Sequence, residues 1–120
     1  MNKNIVVLED NSDISELIKF LLTKEEHNVE TYANVQSFWE GIKDKAIDLM
    51  ILDVMLPDGN GFSICKTLKS NTETKHIPIM LMSANLNSHS FGSEWNAQDF
   101  IQKPFDIDNF VARVSFLLLS

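Results

Sequence analysis

The sequence predicts an α/β fold: a doubly wound five-stranded parallel sheet, order 2-1-3-4-5, with helices on both faces. Three observations carry that prediction. Short, wholly apolar runs (Ile5-Val6-Val7-Leu8, Leu49-Met50-Ile51-Leu52, Ile79-Met80-Leu81-Met82) read as strands covered on both faces, the mark of central parallel strands. Amphipathic helical stretches alternate with them, which demands right-handed crossovers. Two weaker strands, short or mixed in pattern, belong at the sheet edges, and the order 2-1-3-4-5 satisfies this.

The first strand ends in acid, Glu9-Asp10, and Asn11, Ser12 and Asp13 offer capping oxygens for the first helix. Its apolar stripe is Ile14, Leu17, Ile18, Leu21 and Leu22. Val29, Thr31 and Ala33 against Glu30 and Tyr32 make a mixed edge strand, and Asn34 caps a helix carrying Val35, Phe38, Trp39 and Ile42. The central strand runs to Asp53, where Pro57-Asp58-Gly59-Asn60-Gly61 forbids continuation; that run reads as turn chemistry. A helix from about Phe62 to Lys69 then turns Ile64, Cys65 and Leu68 inward.

The fourth strand ends on Ser83. From Ala84 to Ala97 the only helical spacing is Phe91 with Trp95, amid Ser88, Ser90, Gly92 and Ser93, so a short or mobile fourth helix is expected. Phe100-Ile101 is a minimal fifth strand closed by Gln102-Lys103-Pro104. The last helix starts near Asp106, with a core stripe of Ile107, Phe110, Val111, Val114, Leu117 and Leu118. A second stripe, Ala112, Phe116 and Leu119, lies off that face.

Composition narrows the function. A chain of 120 residues is one domain, 1–120, able to bury a core without staples. Cys65, alone, forms no internal bridge and fits a reducing compartment. The opening Met1-Asn2-Lys3-Asn4 leads into too few apolar residues for a signal peptide, and nothing later reaches transmembrane length, so a cytoplasmic protein without membrane contact is expected. Lys plus Arg 10 against Asp plus Glu 17 gives a net charge of -7, which argues against direct nucleic-acid binding by this domain.

In the order 2-1-3-4-5 the first and third strands are neighbours whose helices leave on opposite sides, opening a crevice at their carboxyl ends. Glu9, Asp10 and Asp53 meet there, with Ser83 and Lys103 on the same rim. Three close carboxylates repel, and a cation answers the repulsion. With no Cys or His cluster in the pattern, Mg²⁺ suits the site better than zinc. A carboxylate beside Mg²⁺ is a competent nucleophile toward a phosphoryl group, and an ammonium and a hydroxyl facing the incoming oxygens supply charge and position.

These residues carry a resemblance. Glu9-Asp10, Asp53 followed by Met55-Leu56-Pro57-Asp58-Gly59-Asn60-Gly61, Ser83-Ala84, and Asp99-Phe100-Ile101-Gln102-Lys103-Pro104-Phe105, in this order, resemble the receiver domain of two-component response regulators over the whole chain. The resemblance implies a flavodoxin-like fold and a phosphoacceptor switch rather than a turnover enzyme, with self-catalysed phosphorylation and slow autodephosphorylation. It implies that Asp53 takes the phosphoryl group from a phosphohistidine on a sensor histidine kinase or phosphotransfer protein. Asp10, Asp53 and the backbone carbonyl of Met55 would hold Mg²⁺, Glu9 acting directly or through water, with Lys103 facing the phosphoryl oxygens. Ser83 and Phe100 would be the switch pair, reshaping the face of the fourth helix, fifth strand and fifth helix. Met55 and Asn85 would tune the phosphoryl lifetime, and Lys103–Pro104 would be cis. The interval from Ser83 to Lys103 is slightly short for the family, and Asn96 stands where it usually has Gly; Asn tolerates the left-handed backbone such a turn needs.

Taken singly, each residue has a plainer reading: Asp10 a helix cap, Asp53 a turn initiator, Ser83 a cap, Lys103 a solvated lysine, Phe100 core. Their joint placement at strand ends favours the functional one. His27, His76 and His89 fall in predicted loops and need no chemical role. The stripe Ala112, Phe116, Leu119 is scattered surface or a face for a second receiver or a C-terminal output domain. The apolar ending Leu117-Leu118-Leu119-Ser120 is what a protein that continues would show. A phosphate-independent interaction module is the second reading. An Asp-nucleophile phosphohydrolase would want an acid where Met55 stands, and a flavin carrier would want a phosphate-binding loop where Glu9-Asp10 stands.

Overall fold

A computed structural model describes residues 2–84 and 96–119. One parallel sheet contains β1 (Asn4–Leu8), β2 (Asn28–Tyr32), β3 (Leu49–Asp53), β4 (Ile79–Ser83) and β5 (Asp99–Gln102). Their spatial order is β2-β1-β3-β4-β5, the predicted 2-1-3-4-5. Every residue of β3 and β4 is buried, whereas β2 at one edge alternates between exposed and half-buried, as the mixed sequence required.

Among the described residues the helices are α1 (Ser12–Lys24), α2 (Val35–Gly41), α3 (Gly61–Ser70) and α4 (Ile107–Leu118). Each begins at an Asn or Asp whose side chain accepts an amide of the first turn: Asn11, Asn34, Asn60 and Asp106. The expected fourth helix with its Phe91–Trp95 pair, and Asn85 and His89, lie outside the described residues.

Alternation along the strands sends side chains into two cores. Ile5, Val7, Leu49, Ile51, Met80 and Met82 pack with Ile18, Leu22, Phe110, Val114 and Leu117 of α1 and α4. Val6, Leu8, Met50, Leu52, Ile79 and Leu81 pack on the other face with Phe38, Ile64, Cys65 and Leu68 of α2 and α3. Two stripe positions depart from expectation. Leu17 and Ile107 are 38% and 46% exposed, because Leu17 flanks a stripe centred on Ile18 and Leu22 and Ile107 opens its helix with no turn before it. Ala112, Phe116 and Leu119 all face away from the core. No helix among the described residues is long and apolar enough to cross a membrane.

Candidate functional site

The backbone ladder of the sheet runs one residue past its strands where the predicted site residues sit. The Glu9 amide donates to the Tyr32 carbonyl at 3.0 Å, the Val54 amide to Met82 at 2.8 Å, and the Lys103 amide to Ser83 at 2.9 Å. Positions separated by most of the chain are thereby held on one rim by neighbouring strands.

The side chains then converge. Glu9 and Asp53 are 2% and 4% exposed, Asp10 is exposed, and one oxygen from each carboxylate lies within 4.8 Å of the others. Asp10 is not the cap of α1; Asn11 Oδ1 accepts the Ile14 amide at 3.0 Å and takes that role. Glu9 is oriented by the Asn11 amide, which donates to its Oε2 at 3.1 Å. The Lys103 ammonium donates to Glu9 Oε1 at 2.8 Å and to Asp53 Oδ2 at 3.0 Å. The sequence places this lysine opposite the acids, facing incoming oxygens; in the structure it bridges two of them, since buried carboxylates demand a compensating charge.

Electrostatics follow from that packing. Burial raises the Glu9 carboxyl above the ordinary carboxylate range; the Lys103 hydrogen bond opposes the rise and neighbouring Asp53 adds to it. Burial pulls Lys103 down, but its bonds to Glu9 and Asp53 outweigh that, and its pKa is raised overall, so it stays an ammonium.

Glu9, Asp10, Asp53, Met55, Ser83 and Lys103 line one cavity of about 320 Å³. Ser83 is 5% exposed, and Met55 is 75% exposed at the mouth. Phe100 is half-buried against the α2 and α3 core. The Lys103–Pro104 peptide bond is cis, and Asn96 has φ 58°, the left-handed backbone that asparagine tolerates. A larger depression, about 790 Å³, opens beside Trp39, Ile47, Asp48 and His76 at the opposite end of the sheet, so volume alone does not locate the chemistry.

Among the described residues Glu9, Asp10 and Asp53 are the one group of three or more His, Cys, Asp or Glu side chains close enough to hold a metal ion. The donors are all carboxylate oxygens in a cavity with room for water, a set that fits a hard cation such as Mg²⁺ and not a thiolate- or imidazole-seeking one.

Asp58 was not legible as more than a turn residue. Its carboxylate accepts the amides of Val35 at 2.7 Å and Gln36 at 3.1 Å, at the start of α2. Those bonds, the Val35 one foremost, hold its carboxyl below the usual range. The signal in the sequence was slight: the first turn of α2 carries no acid of its own.

The structure is thus a doubly wound parallel α/β domain with three acids and an ammonium at the carboxyl ends of its strands. The chain belongs to the response regulator receiver domain family, whose sequence model matches residues 5–115. It is 33% identical over 117 residues to the response regulator ArlR of Staphylococcus epidermidis, covering 96% of this chain and 52% of that protein. The ArlR of Staphylococcus aureus is 33% identical over 116 residues, with 95% and 52% covered. The chain thus spans about half the length of these relatives. Among solved structures it is similar to the BeF3-activated DrrB receiver domain (TM-score 0.89, 28% identity, 100% of both chains). It is also similar to the Thermotoga maritima response regulator DrrB (0.86, 28%, 98% of this chain and 53% of that one). The non-phosphorylated HemR receiver domain from Leptospira biflexa is a third (0.87, 28%, 97% and 94%).

Proposed function

We propose that residues 1–120 form a single cytoplasmic phosphoacceptor domain whose Asp53 takes a phosphoryl group from a phosphohistidine on a sensor histidine kinase or phosphotransfer protein. The observation that carries this reading is the contact of Lys103 with both Glu9 and Asp53 inside the acidic cavity. A carboxylate oxygen of Asp53 attacks phosphorus, the phosphorus–nitrogen bond of the donor breaks, and its electron pair returns to the imidazole, leaving an acyl phosphate on Asp53. Glu9, Asp10, Asp53 and the backbone carbonyl of Met55 would hold Mg²⁺, which when bound offsets the negative charge of acids and phosphoryl oxygens. Lys103 leaves Asp53 and pairs with a phosphoryl oxygen. The Ser83 hydroxyl turns toward the phosphoryl group and Phe100 moves inward behind it, changing the surface around β5 and α4. The product is a switched domain, so turnover is confined to slow loss of the phosphoryl group. Ala112, Phe116 and Leu119 offer a face for a second receiver or an output domain.

Incubation with Mg²⁺ and acetyl phosphate tests the reading. The expected mass gain is one phosphoryl group, absent with a chelator and absent in Asp53→Asn. Equal labelling of wild type and variant, or none in either, overturns it.

A further inference from the structure

Asp58 lies at the tip of a two-residue ribbon in which Met55–Leu56 runs antiparallel to Gly59–Asn60, with Met55 opposite Asn60 and Leu56 opposite Gly59. A ribbon this small has no stability of its own in water, so its conformation is set by what holds its ends. The base is held by the sheet: the Val54 amide donates to Met82, and the Gly61 amide returns to the Val54 carbonyl at 2.9 Å. The tip is held by α2. Asp58 accepts the Val35 and Gln36 amides through separate oxygens, while Asn34 serves the next donor, Ser37, at 2.8 Å. These are amides that a helix start leaves without intrahelical partners. Gly59 also seats on the same turn, since a Cβ there would lie 2.9 Å from Val35 Cγ2.

We propose that Asp58 is a positioning residue: by clamping the ribbon tip to the first turn of α2 it fixes the backbone at Met55, whose carbonyl is assigned to the metal site. The inference rests on that assignment for its functional consequence. The clamp itself rests on the two hydrogen bonds and the Gly59 contact. Asp58 touches no reacting atom. It acts through a few residues of backbone, as outer-shell groups act on metal ligands elsewhere.

The test uses the whole 120-residue chain, with Mg²⁺ alone as the probe in calorimetric titration and amide hydrogen exchange as a second readout. Asp58→Ala is expected to weaken Mg²⁺ binding about tenfold, the lower end of what outer-shell changes cost. Asp58→Asn, which keeps one acceptor oxygen, falls between it and wild type. Exchange at Val35, Gln36 and the Met55–Asn60 ribbon speeds up in Asp58→Ala. Val114→Ala, a core truncation in α4, lowers thermal stability and leaves Mg²⁺ affinity at the wild-type value. Wild-type affinity in Asp58→Ala, or weakening in Val114→Ala to the same degree, overturns the positioning role. If wild type binds no Mg²⁺, the phosphoacceptor reading fails and exchange alone judges the clamp: unchanged ribbon exchange in Asp58→Ala then overturns it.

Discussion

Replacing Lys103 with alanine is expected to destabilise the metal-free domain by about 2–4 kcal/mol, and to slow phosphoryl transfer from acetyl phosphate by about 10²–10³-fold. The stability loss follows from what stays behind. Glu9 and Asp53 have side chains 0% and 5% exposed, and Lys103 is the ammonium that both of them contact. Removing one partner of a buried ionic group leaves uncompensated charge, which costs more than the group contributed when intact. Part of the cost is avoided by proton uptake, to which the already raised Glu9 is predisposed. Divalent binding moves the other way: with the competing ammonium gone, Mg²⁺ binds more tightly and restores much of the lost melting temperature. Calorimetric titration and thermal melts with and without Mg²⁺ check both directions. Loss of Mg²⁺ binding together with transfer would mean that Lys103 helps build the cation site rather than competing for it.

Gly61→Ala is expected to cost about 2–4 kcal/mol, a fall of roughly 10–15 °C in melting temperature. A Cβ at this position would lie 2.4 Å from the Asp53 carbonyl oxygen, 3.1 Å from its carbon and 3.3 Å from Val54 Cα. All three are backbone atoms of the strand end that carries Asp53, so no side-chain rotation relieves the clash. Either α3 withdraws or the Asp53 peptide shifts. The second route moves Asp53 away from Lys103, so acetyl phosphate labelling falls along with stability. A variant as stable as wild type would show that the strand end yields more readily than its place between Val54 and α3 implies.

The fold was legible because two periodicities were clean. The apolar runs at Ile5–Leu8, Leu49–Leu52 and Ile79–Met82 are buried throughout, the cap Asn34 falls where the sequence puts it, and the last helix begins at Asp106 as expected. The gathering of Glu9, Asp10, Asp53, Ser83 and Lys103 on one rim was legible from strand order alone, since a parallel sheet places all carboxyl ends together. Contacts between polar side chains were not. Nothing local tells Lys103 to bridge Glu9 and Asp53; that is decided by how deeply both acids are buried. Asp58 reads as a turn residue until α2 is placed beside it, because its partners are 23 and 22 residues away. Helical spacing makes the stripes of α1 and α4 one residue too wide, at Leu17 and Ile107, since it gives a face but not where its margin meets solvent.

The central claim, that acids distant in sequence converge on one divalent ion, is tested most directly by titrating the isotopically labelled chain with Mn²⁺ as a paramagnetic substitute for Mg²⁺. Broadening should spread outward from the amides of Glu9, Asp10, Asp53 and Met55, spare the opposite sheet end around Asn28 and Asp48, and vanish when excess Mg²⁺ is added. Broadening centred elsewhere, or spread evenly over the acidic surface and indifferent to Mg²⁺, would contradict it.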